Sequence, residues 1–360
     1  MTAHRATLIF LRDTMTMTPM SSMIHGWLTR ERSFAAFTTG PLLDFWQRRR
    51  EAEFCGVDGI AIRYVAFCDA RHTRAILIAP GRIESYMKYP ELAYDLFVSG
   101  YDVVIIDHRG QGTSDRMLAD SHRGHVERFD DYVDDLQQLW QRELLARPYR
   151  QRFLLAHSMG GAISALFLAR RPAGLTAAAL CAPMTGIRLP LPRWLANGIL
   201  SWATRRRARR TRYALGTGYW RPLPFMVNEL THSRVRYRRF LRYYSDYPRL
   251  QVGGPTYQWV AESLTAAERI QRVAPEIVTP LLLLQAAEDR VVDNASQLRF
   301  CQTLAAAGNA PWGGAPLVIK GARHEILFER DSQRAEALTA IMRFFKQFSE
   351  SPAPIAANPC

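Results

Sequence analysis

Ser158 is the residue of this sequence best placed to act as a nucleophile. It follows residues 153–156, an apolar run typical of a buried strand, and precedes a predicted helix over residues 159–170. Ala156 and Gly160, two positions before and after the serine, are small enough for a strand and a helix to meet in the tight turn that strains a nucleophilic serine. A serine that only caps an ordinary helix is the competing interpretation. The position at a strand–helix junction favours the nucleophile.

His324 follows the last predicted strand, residues 317–320. The carboxyl ends of parallel strands lie at one edge of a sheet, and Ser158 is expected at the same edge, so the two side chains can converge. His324 would then take the proton from Ser158 Oγ as general base and return it to the leaving group. A histidine on a surface loop is the alternative. An acidic loop one strand earlier favours the catalytic role, because it completes the order serine, acid, histidine.

The acid that would orient His324 comes from the loop after the strand over residues 281–285. This loop offers three carboxylates, Glu288, Asp289 and Asp293. Asp289 is favoured because it stands at the usual turn position after the strand. Asp293 is the alternative acid, although it is also well placed to cap the helix that follows.

Acyl transfer through a serine also requires backbone N–H groups directed at the developing oxyanion. Met159, directly after the nucleophile, is expected to supply one of them. The loop after the strand over residues 75–80 is expected to supply the other, with Arg82 N–H the best candidate and Gly81 providing backbone freedom. This chemistry needs no metal or organic cofactor. The glycine-containing loop over residues 107–114 lacks a phosphate-binding lysine, so we interpret it as structural support.

These residues must be positioned by a fold in which short apolar runs alternate with amphipathic segments. The predicted strands cover residues 60–67, 75–80, 103–107, 153–156, 177–182, 281–286 and 317–320. The predicted helices cover residues 91–98, 132–146, 159–170, 296–307 and 332–348. Several strands are continuous apolar runs, as expected where both faces of a sheet are covered. The alternation predicts an α/β fold with a mostly parallel central sheet and helices on both faces.

Positive charge is concentrated in one part of the chain. The formal net charge is +14, and residues 188–249 hold 15 arginines, no lysine and two acidic residues, so the remaining chain is nearly neutral. The densest run consists of Arg205, Arg206, Arg207, Arg209, Arg210 and Arg212. Arginines interleaved with aromatic residues also fit nucleic acid, and a solvated face is the plainest alternative. A basic amphipathic helix carrying Trp and Leu favours an anionic membrane surface and no nucleic-acid partner.

Composition and the remaining motifs exclude several classes of protein. With 48% hydrophobic and 22% charged residues, the chain is neither disordered nor collagen-like. No apolar run approaches the roughly 20 residues of a membrane-spanning helix, and the run at residues 7–11 is too short for a secretion signal. The five cysteines lack the spacing of a zinc site or a disulfide framework. We therefore expect a reducing compartment and peripheral membrane association.

Five motifs in order along the chain resemble those of the monoacylglycerol lipase group of serine hydrolases. They are Pro-Gly-Arg-Ile-Glu-Ser at 80–85, Asp-His-Arg-Gly-Gln-Gly at 107–112, Ala-His-Ser-Met-Gly-Gly at 156–161, Glu-Asp-Arg-Val-Val-Asp at 288–293 and Gly-Ala-Arg-His-Glu at 321–325. Within this group the chain resembles the bacterial inner-membrane lysophospholipases, from about residue 27 to residue 348. Pro80 stands where the broader group has histidine, and Ala156 replaces the first glycine of the turn. Neither departure removes a reacting group.

The resemblance implies an α/β-hydrolase fold with a helical cap inserted after its sixth strand. The expected organisation is a leader without structure over residues 1–26, a core over residues 27–182 and 256–348, a basic cap over residues 183–255 and a tail over residues 349–360. The cap would line the pocket for the acyl chain with Trp194, Leu195, Trp202, Trp220, Phe225 and Met226.

The resemblance also implies a reaction and a location. The acyl ester of a lysophospholipid would be hydrolysed to a fatty acid and a glycerophosphodiester, with acyl transfer to another lipid as a further reaction. The protein would lie on the cytoplasmic side of the bacterial inner membrane, with the cap arginines facing anionic headgroups. A monoacylglycerol lipase or a broad carboxylesterase remains the alternative.

Overall fold

One sheet of eight strands runs through the computed structural model, which describes residues 19–188 and 191–349. The strands are β1 (Arg50–Cys55), β2 (Ala61–Phe67), β3 (Arg74–Ala79), β4 (Asp102–Ile106), β5 (Gln151–His157), β6 (Ala177–Cys181), β7 (Leu281–Ala286) and β8 (Leu317–Ile319). Their order across the sheet is β1-β2-β4-β3-β5-β6-β7-β8. β2 pairs antiparallel with β1 and β4, and all other pairs are parallel. The predicted mostly parallel sheet is confirmed.

Helices connect these strands and cover the sheet. In the described residues they are α1 (Pro19–Leu28), α2 (Phe34–Thr39), α3 (Pro41–Gln47), α4 (Pro90–Val98), α5 (Phe129–Leu139), α6 (Met159–Ala169), α7 (Arg193–Thr204), α8 (Arg207–Arg210), α9 (Arg234–Asp246), α10 (Tyr257–Val273), α11 (Asn294–Ala306) and α12 (Asp331–Ser349). The chain continues beyond α5 through wider turns over Trp140–Leu145. The five predicted helices correspond to α4, α5 with its extension, α6, α11 and α12.

The core has two layers because successive side chains of a strand point to opposite faces of the sheet. Leu77 and Leu154 belong to a buried cluster that includes residues of α5, α6, α10 and α11. Ile76 and Leu155 belong to a second cluster, which includes residues of α4 and α12. Helices therefore cover both faces, and the loops that follow β5, β7 and β8 meet at one edge of the sheet.

The N-terminal region differs in part from the prediction. Residues 19–26, expected to belong to a leader without structure, lie in α1, and Trp27 in the same helix is buried. Residues 1–18 and 350–360, the rest of that leader and nearly all of the expected tail, lie outside the described residues. β1 was not predicted, because Phe54 is the one buried residue of its six and the strand carries no apolar run.

The helices α7, α8, α9 and α10 lie between β6 and β7. Because β1 precedes the predicted strands, this insertion follows the sixth strand of the sheet. The cap expected over residues 183–255 contains α7, α8 and α9, whereas the 17-residue α10 was not predicted. α10 begins after Thr256, whose Oγ1 accepts a hydrogen bond from Trp259 N at 3.2 Å, and it packs against α6 and α7. Over the described ranges, no helix combines the length and apolar character needed to cross a membrane.

Candidate active site

Ser158 occupies a strained turn between β5 and α6. Its backbone has φ 53° and ψ −116°, a left-handed conformation that is costly for any residue with a side chain. A Cβ atom at Gly160 would overlap the carbonyl oxygen of Ala79, and one at Gly161 would lie 2.6 Å from Pro183 Cβ. Small residues are therefore required two and three positions after the serine, and the sequence indicated this for Gly160. Sequence reasoning did not identify the same requirement at Gly161.

The structure brings Ser158, His324 and Asp289 together in one hydrogen-bonded series. Ser158 Oγ and His324 Nε2 are 2.8 Å apart, and His324 Nδ1 is 2.8 Å from Asp289 Oδ2. All three residues are buried, with exposed fractions of 4–7%. Because Asp289 accepts a hydrogen bond from His324 Nδ1–H, His324 Nε2 is left to accept the proton of the serine hydroxyl. The arrangement can activate Ser158 for attack on an acyl carbon.

Asp289 is also fixed by its own loop. Its Oδ1 accepts hydrogen bonds from Val291 N at 2.8 Å and Val292 N at 3.0 Å. Although burial acts to raise the pKa of Asp289, the hydrogen bond and charge of His324 hold it below the usual value. Asp289 is therefore favoured in its ionised form, which can stabilise an imidazolium.

The other two candidate acids lie elsewhere. Asp293 caps α11, where its Oδ1 accepts a hydrogen bond from Ala295 N at 3.1 Å. Glu288 has a side chain that is 53% exposed and lies 3.4 Å from His232 Nε2. The structure thus places Asp289, and neither Glu288 nor Asp293, against His324.

The loop after β3 lies directly against the serine. A Cβ atom at Gly81 would be 3.2 Å from Ser158 Cβ, and Arg82 lines the cavity that contains Ser158. Met159 is the first residue of α6 and is fully buried. Ile83 has a positive φ of 66°, so the loop bends sharply as it passes the site. The direction of the Arg82 and Met159 N–H groups toward a substrate oxyanion stays a prediction.

Residues from the loop after β4 hold this bend in place. Gln111 Nε2 donates to Gly81 O at 2.7 Å and to Glu84 O at 2.9 Å, while its Oε1 accepts from Ile83 N at 3.2 Å. The buried Asp107 carboxylate accepts from Ser85 Oγ at 2.9 Å and from backbone groups of both loops. The loop over residues 107–114 supports the site, as the sequence indicated.

A buried ionic network lies behind the serine and was missed by sequence reasoning. Glu84 Oε1 accepts from Lys88 Nζ at 2.7 Å, and the same ammonium donates to Glu325 Oε1 at 2.5 Å. His157 Nδ1 lies 3.1 Å from Glu84 Oε2, and its Nε2 lies 3.1 Å from His324 O. Despite burial, Lys88 and His157 hold the pKa of Glu84 well below its usual value. The network therefore links the loop after β3 to the backbone of His324.

A cavity of about 620 Å³ opens from Ser158 and His324 toward the cap. Its apolar wall is formed by Met184, Ile187, Trp220, Leu223, Leu230, Tyr237, Phe240, Leu241, Val252, Trp259, Val291 and Val292. Of the six cap residues expected in an acyl pocket, Trp220 alone lines this cavity. Phe225 lies outside its lining, and Trp194, Leu195, Trp202 and Met226 are exposed to solvent. For Trp194, Leu195 and Trp202 the prediction was wrong because α7 turns Ala196, Leu200 and Ala203 inward instead.

The arginine run begins directly after α7, continues through α8 and ends two residues beyond it. Arg205, Arg206, Arg207 and Arg212 are exposed, whereas Arg209 and Arg210 are partly buried. Arg210 pairs with Glu127, and the Arg209 guanidinium lies 4.1 Å from the ring centroid of Trp202. Trp194 and Trp202 are 75% and 54% exposed. The cap thus presents cationic and indole side chains on one continuous segment.

Comparisons with known proteins agree in fold and in chemistry. The pattern of the family described as Serine aminopeptidase, S33, matches residues 70–331. The chain is 59% identical over 321 residues to Lysophospholipase L2 of Escherichia coli strain K12, covering 89% of this chain and 94% of that protein. It is 32% identical over 319 residues to Probable lysophospholipase L2 of Haemophilus influenzae, covering 88% and 98%. The solved structure of a thermostable carboxyl esterase from Bacillus coagulans superposes with a TM-score of 0.66 at 18% identity, covering 83% and 98%.

Proposed function

Because the chain belongs to the serine aminopeptidase S33 family of α/β-hydrolases, we propose that it is a lysophospholipase whose nucleophile is Ser158. The observation that carries the proposal is the hydrogen-bonded series from Asp289 through His324 to Ser158 at the base of an apolar cavity. The two relatives named lysophospholipase L2 align over nearly their whole length, which supports the choice of substrate. The products would be a free fatty acid and a glycerophosphodiester.

The reaction would proceed in two steps through an acyl-enzyme. Ser158 Oγ attacks the ester carbonyl while His324 Nε2 takes the hydroxyl proton, and Asp289 stabilises the imidazolium that forms. The Arg82 and Met159 N–H groups would donate to the oxyanion of the tetrahedral intermediate. His324 returns its proton to the glycerol oxygen that leaves. A water molecule, deprotonated by the same histidine, then releases the fatty acid; a lipid alcohol in place of water would give acyl transfer.

The cavity fits a single acyl chain better than a polar substrate. Most of its aromatic and aliphatic wall is formed by residues of the cap. Cavities of this size are typical of small-molecule sites. Burying a chain there would release its methylene groups from water, at about 0.8 kcal/mol for each. The cap segments that include Trp220, Leu223 and Phe240 would therefore provide most of the binding energy.

A comparison of lipid substrates tests the proposed activity. We expect a higher kcat/KM for lysophosphatidylethanolamine or lysophosphatidylglycerol than for a monoacylglycerol with the same acyl chain. Ser158→Ala should lower kcat by about a million-fold, as loss of a triad serine does in other hydrolases. Faster cleavage of the monoacylglycerol would reject the substrate class. Equal labelling of wild type and Ser158→Ala by a fluorophosphonate probe would reject the nucleophile.

We further propose that the protein acts as a peripheral membrane protein on the cytoplasmic side of the inner membrane. The support is the cap segment in which exposed Trp202 adjoins the arginine run and exposed Trp194 lies at the start of the same helix, α7. Indole rings favour the boundary between headgroups and acyl chains, and each arginine near an anionic surface contributes about 1 kcal/mol. This surface would hold the cavity close to its lipid substrate.

A further inference from the structure

Arg82 lines the catalytic cavity, and its guanidinium contacts two other residues of the same lining, Gly253 and Trp259. Nη2 donates to Gly253 O at 2.5 Å, and the guanidinium lies 5.0 Å from the ring centroid of Trp259. A Cβ atom at Gly124 would lie 2.7 Å from Nη2, so the group is closely enclosed on that side. Nε is buried and has no hydrogen-bond partner within the described residues. The mechanism above leaves this side chain without a role.

The four arginines with the lowest exposure in the described chain, Arg30, Arg109, Arg236 and Arg334, are all paired with carboxylates. Arg109 binds Asp135 at 2.6 Å, and Arg236 binds Glu91 at 2.8 Å. Arg82 forms no such ion pair among the described residues, and burial lowers its pKa to about 10, which still leaves it cationic at neutral pH. A cation that has lost water without gaining a counter-ion is costly, so a bound anion would stabilise it.

The two carboxylates that line the cavity, Glu84 and Glu325, are already paired with other cations, Lys88 and, for Glu84, the His157 ring as well. Glu84 and Glu325 both line the cavity, and both bind Lys88, at 2.7 and 2.5 Å. Neither therefore offsets the charge of Arg82. The lining of the catalytic cavity consequently combines a long apolar wall with a cation, Arg82, that has no carboxylate partner among the described residues.

The position of Arg82 relative to the nucleophile suggests which anion it takes. Gly81 approaches Ser158, and Arg82 is the next residue, so its side chain begins beside the site of attack. In a lysophospholipid only the glycerol carbons separate the acyl ester from the phosphodiester. Guanidinium groups are suited to phosphate oxygens because their planar N–H donors match phosphate geometry. We propose that the Arg82 guanidinium binds the phosphodiester of the substrate headgroup, an assignment that rests on the proposed lysophospholipid substrate.

The experiment measures inhibition, so that it does not depend on lysophospholipid turnover. An octyl glycerol ether and its phosphoglycerol derivative, neither of which can be hydrolysed, are compared as competitive inhibitors of p-nitrophenyl butyrate hydrolysis below their micelle concentrations. In wild type we expect the phosphate-bearing ether to bind more tightly. Arg82→Met should raise its Ki by about tenfold to a hundredfold, as expected for a lost charge-assisted contact, and change that of the neutral ether by less than about threefold.

Two further variants separate charge from structure. Arg82→Lys keeps the charge without the planar donors and should give an intermediate Ki for the phosphate-bearing ether. Arg343→Met removes an exposed charge from α12 and should leave both Ki values unchanged. If Arg82→Met is inactive, the assignment is still tested by the ratio of the two Ki values in wild type and by the change of that ratio in Arg82→Lys.

Several results would overturn the assignment. The first is equal Ki values for the two ethers in wild type. The second is a Ki for the phosphate-bearing ether that is unchanged in Arg82→Met. The third is an equal rise of both Ki values in Arg82→Met. Decanoate is tested as a third competitive inhibitor. If Arg82→Met raised the Ki of decanoate more than that of the phosphate-bearing ether, Arg82 would be assigned to the carboxylate of the fatty acid product instead. If wild type failed to cleave lysophospholipids while Arg82→Met still raised the Ki of the phosphate-bearing ether, that result would reject the proposed function but keep Arg82 as an anion-binding residue.

Discussion

Two aspartates of one loop, Asp289 and Asp293, have separate roles. Asp289 accepts a hydrogen bond from His324 Nδ1–H, whereas Asp293 caps α11. Asp289→Asn should lower kcat by about 10⁴-fold, because an amide neither stabilises the imidazolium nor selects the correct tautomer. Asp293→Asn is the matched control, and since asparagine is an equally good cap, its kcat should stay within about twofold. Equal losses in the two variants, measured on p-nitrophenyl butyrate, would contradict the assignment.

His157 is a positioning residue whose protonation state should matter. Both of its nitrogens face acceptors, Glu84 Oε2 and His324 O, so both hydrogen bonds form only when the ring is doubly protonated. Although burial acts to lower the pKa of His157, Glu84 raises it above the usual value, with a smaller contribution from Glu325 and opposition from Lys88. Its contribution to stability is therefore complete below about pH 6.5 and is lost as pH rises through the higher folded-state pKa.

Urea unfolding between pH 6 and pH 9 tests this inference. The stability advantage of wild type over His157→Gln should shrink with rising pH, in total by about 1.4 kcal/mol for each unit by which the folded state raises the pKa. A constant difference over this range would show that His157 stays neutral and that one of its two contacts is not a hydrogen bond. The exposed His25 offers a control for the loss of a surface histidine, since His25→Gln should change the free energy of unfolding by less than about 0.5 kcal/mol.

At the level of elements, the sequence predicted best where local pattern and tertiary environment agree. β7 begins with four consecutive leucines, all buried, and its predicted and observed bounds, residues 281–286, coincide. α10 was missed because its burial depends on packing against α6 and α7, elements far from it in sequence. Three of the six residues predicted for the acyl pocket, Trp194, Leu195 and Trp202 of α7, were wrong for the same reason, whereas Trp220 was correct. Which side of α7 faces inward is decided by the core beneath it, so the size of its side chains did not reveal their direction.

Arg236 illustrates the same limit and leads to a prediction about α9. Charge counting places it among the basic residues of the cap, yet it is buried and donates to Glu91 at 2.8 Å, Asp331 at 2.8 Å and Glu329 O at 2.8 Å. Arg236→Met should destabilise the protein by about 3–5 kcal/mol, because buried carboxylates lose a partner. Arg238→Met, an exposed change on the same helix, should cost less than about 0.5 kcal/mol. Similar urea midpoints for the two variants would show that Arg236 does not anchor α9.

At the level of the whole molecule, the charge has a location that bears on function. The exposed arginines of the run closely follow exposed Trp202, in a cap that also carries exposed Trp194 and contributes walls to the catalytic cavity. Changing Arg205, Arg206, Arg207, Arg209 and Arg210 to Gln should weaken binding to phosphatidylglycerol vesicles by about a hundredfold or more, at about 1 kcal/mol per residue. Co-sedimentation over a range of salt concentrations measures this effect, which should diminish as salt screens the surface charge.

A second variant with the same change in net charge separates the position of the arginines from their number. It replaces exposed arginines outside the cap, namely Arg32, Arg48, Arg71, Arg142 and Arg343, by Gln. If the cap surface docks on the membrane, this variant should bind vesicles nearly as well as wild type, because charges beyond about 10 Å are largely screened at ordinary salt. Equal losses in the two variants would attribute binding to total charge. Undiminished binding of the cap variant would remove the arginine run from the docking surface and leave Trp194 and Trp202 as the residues to test.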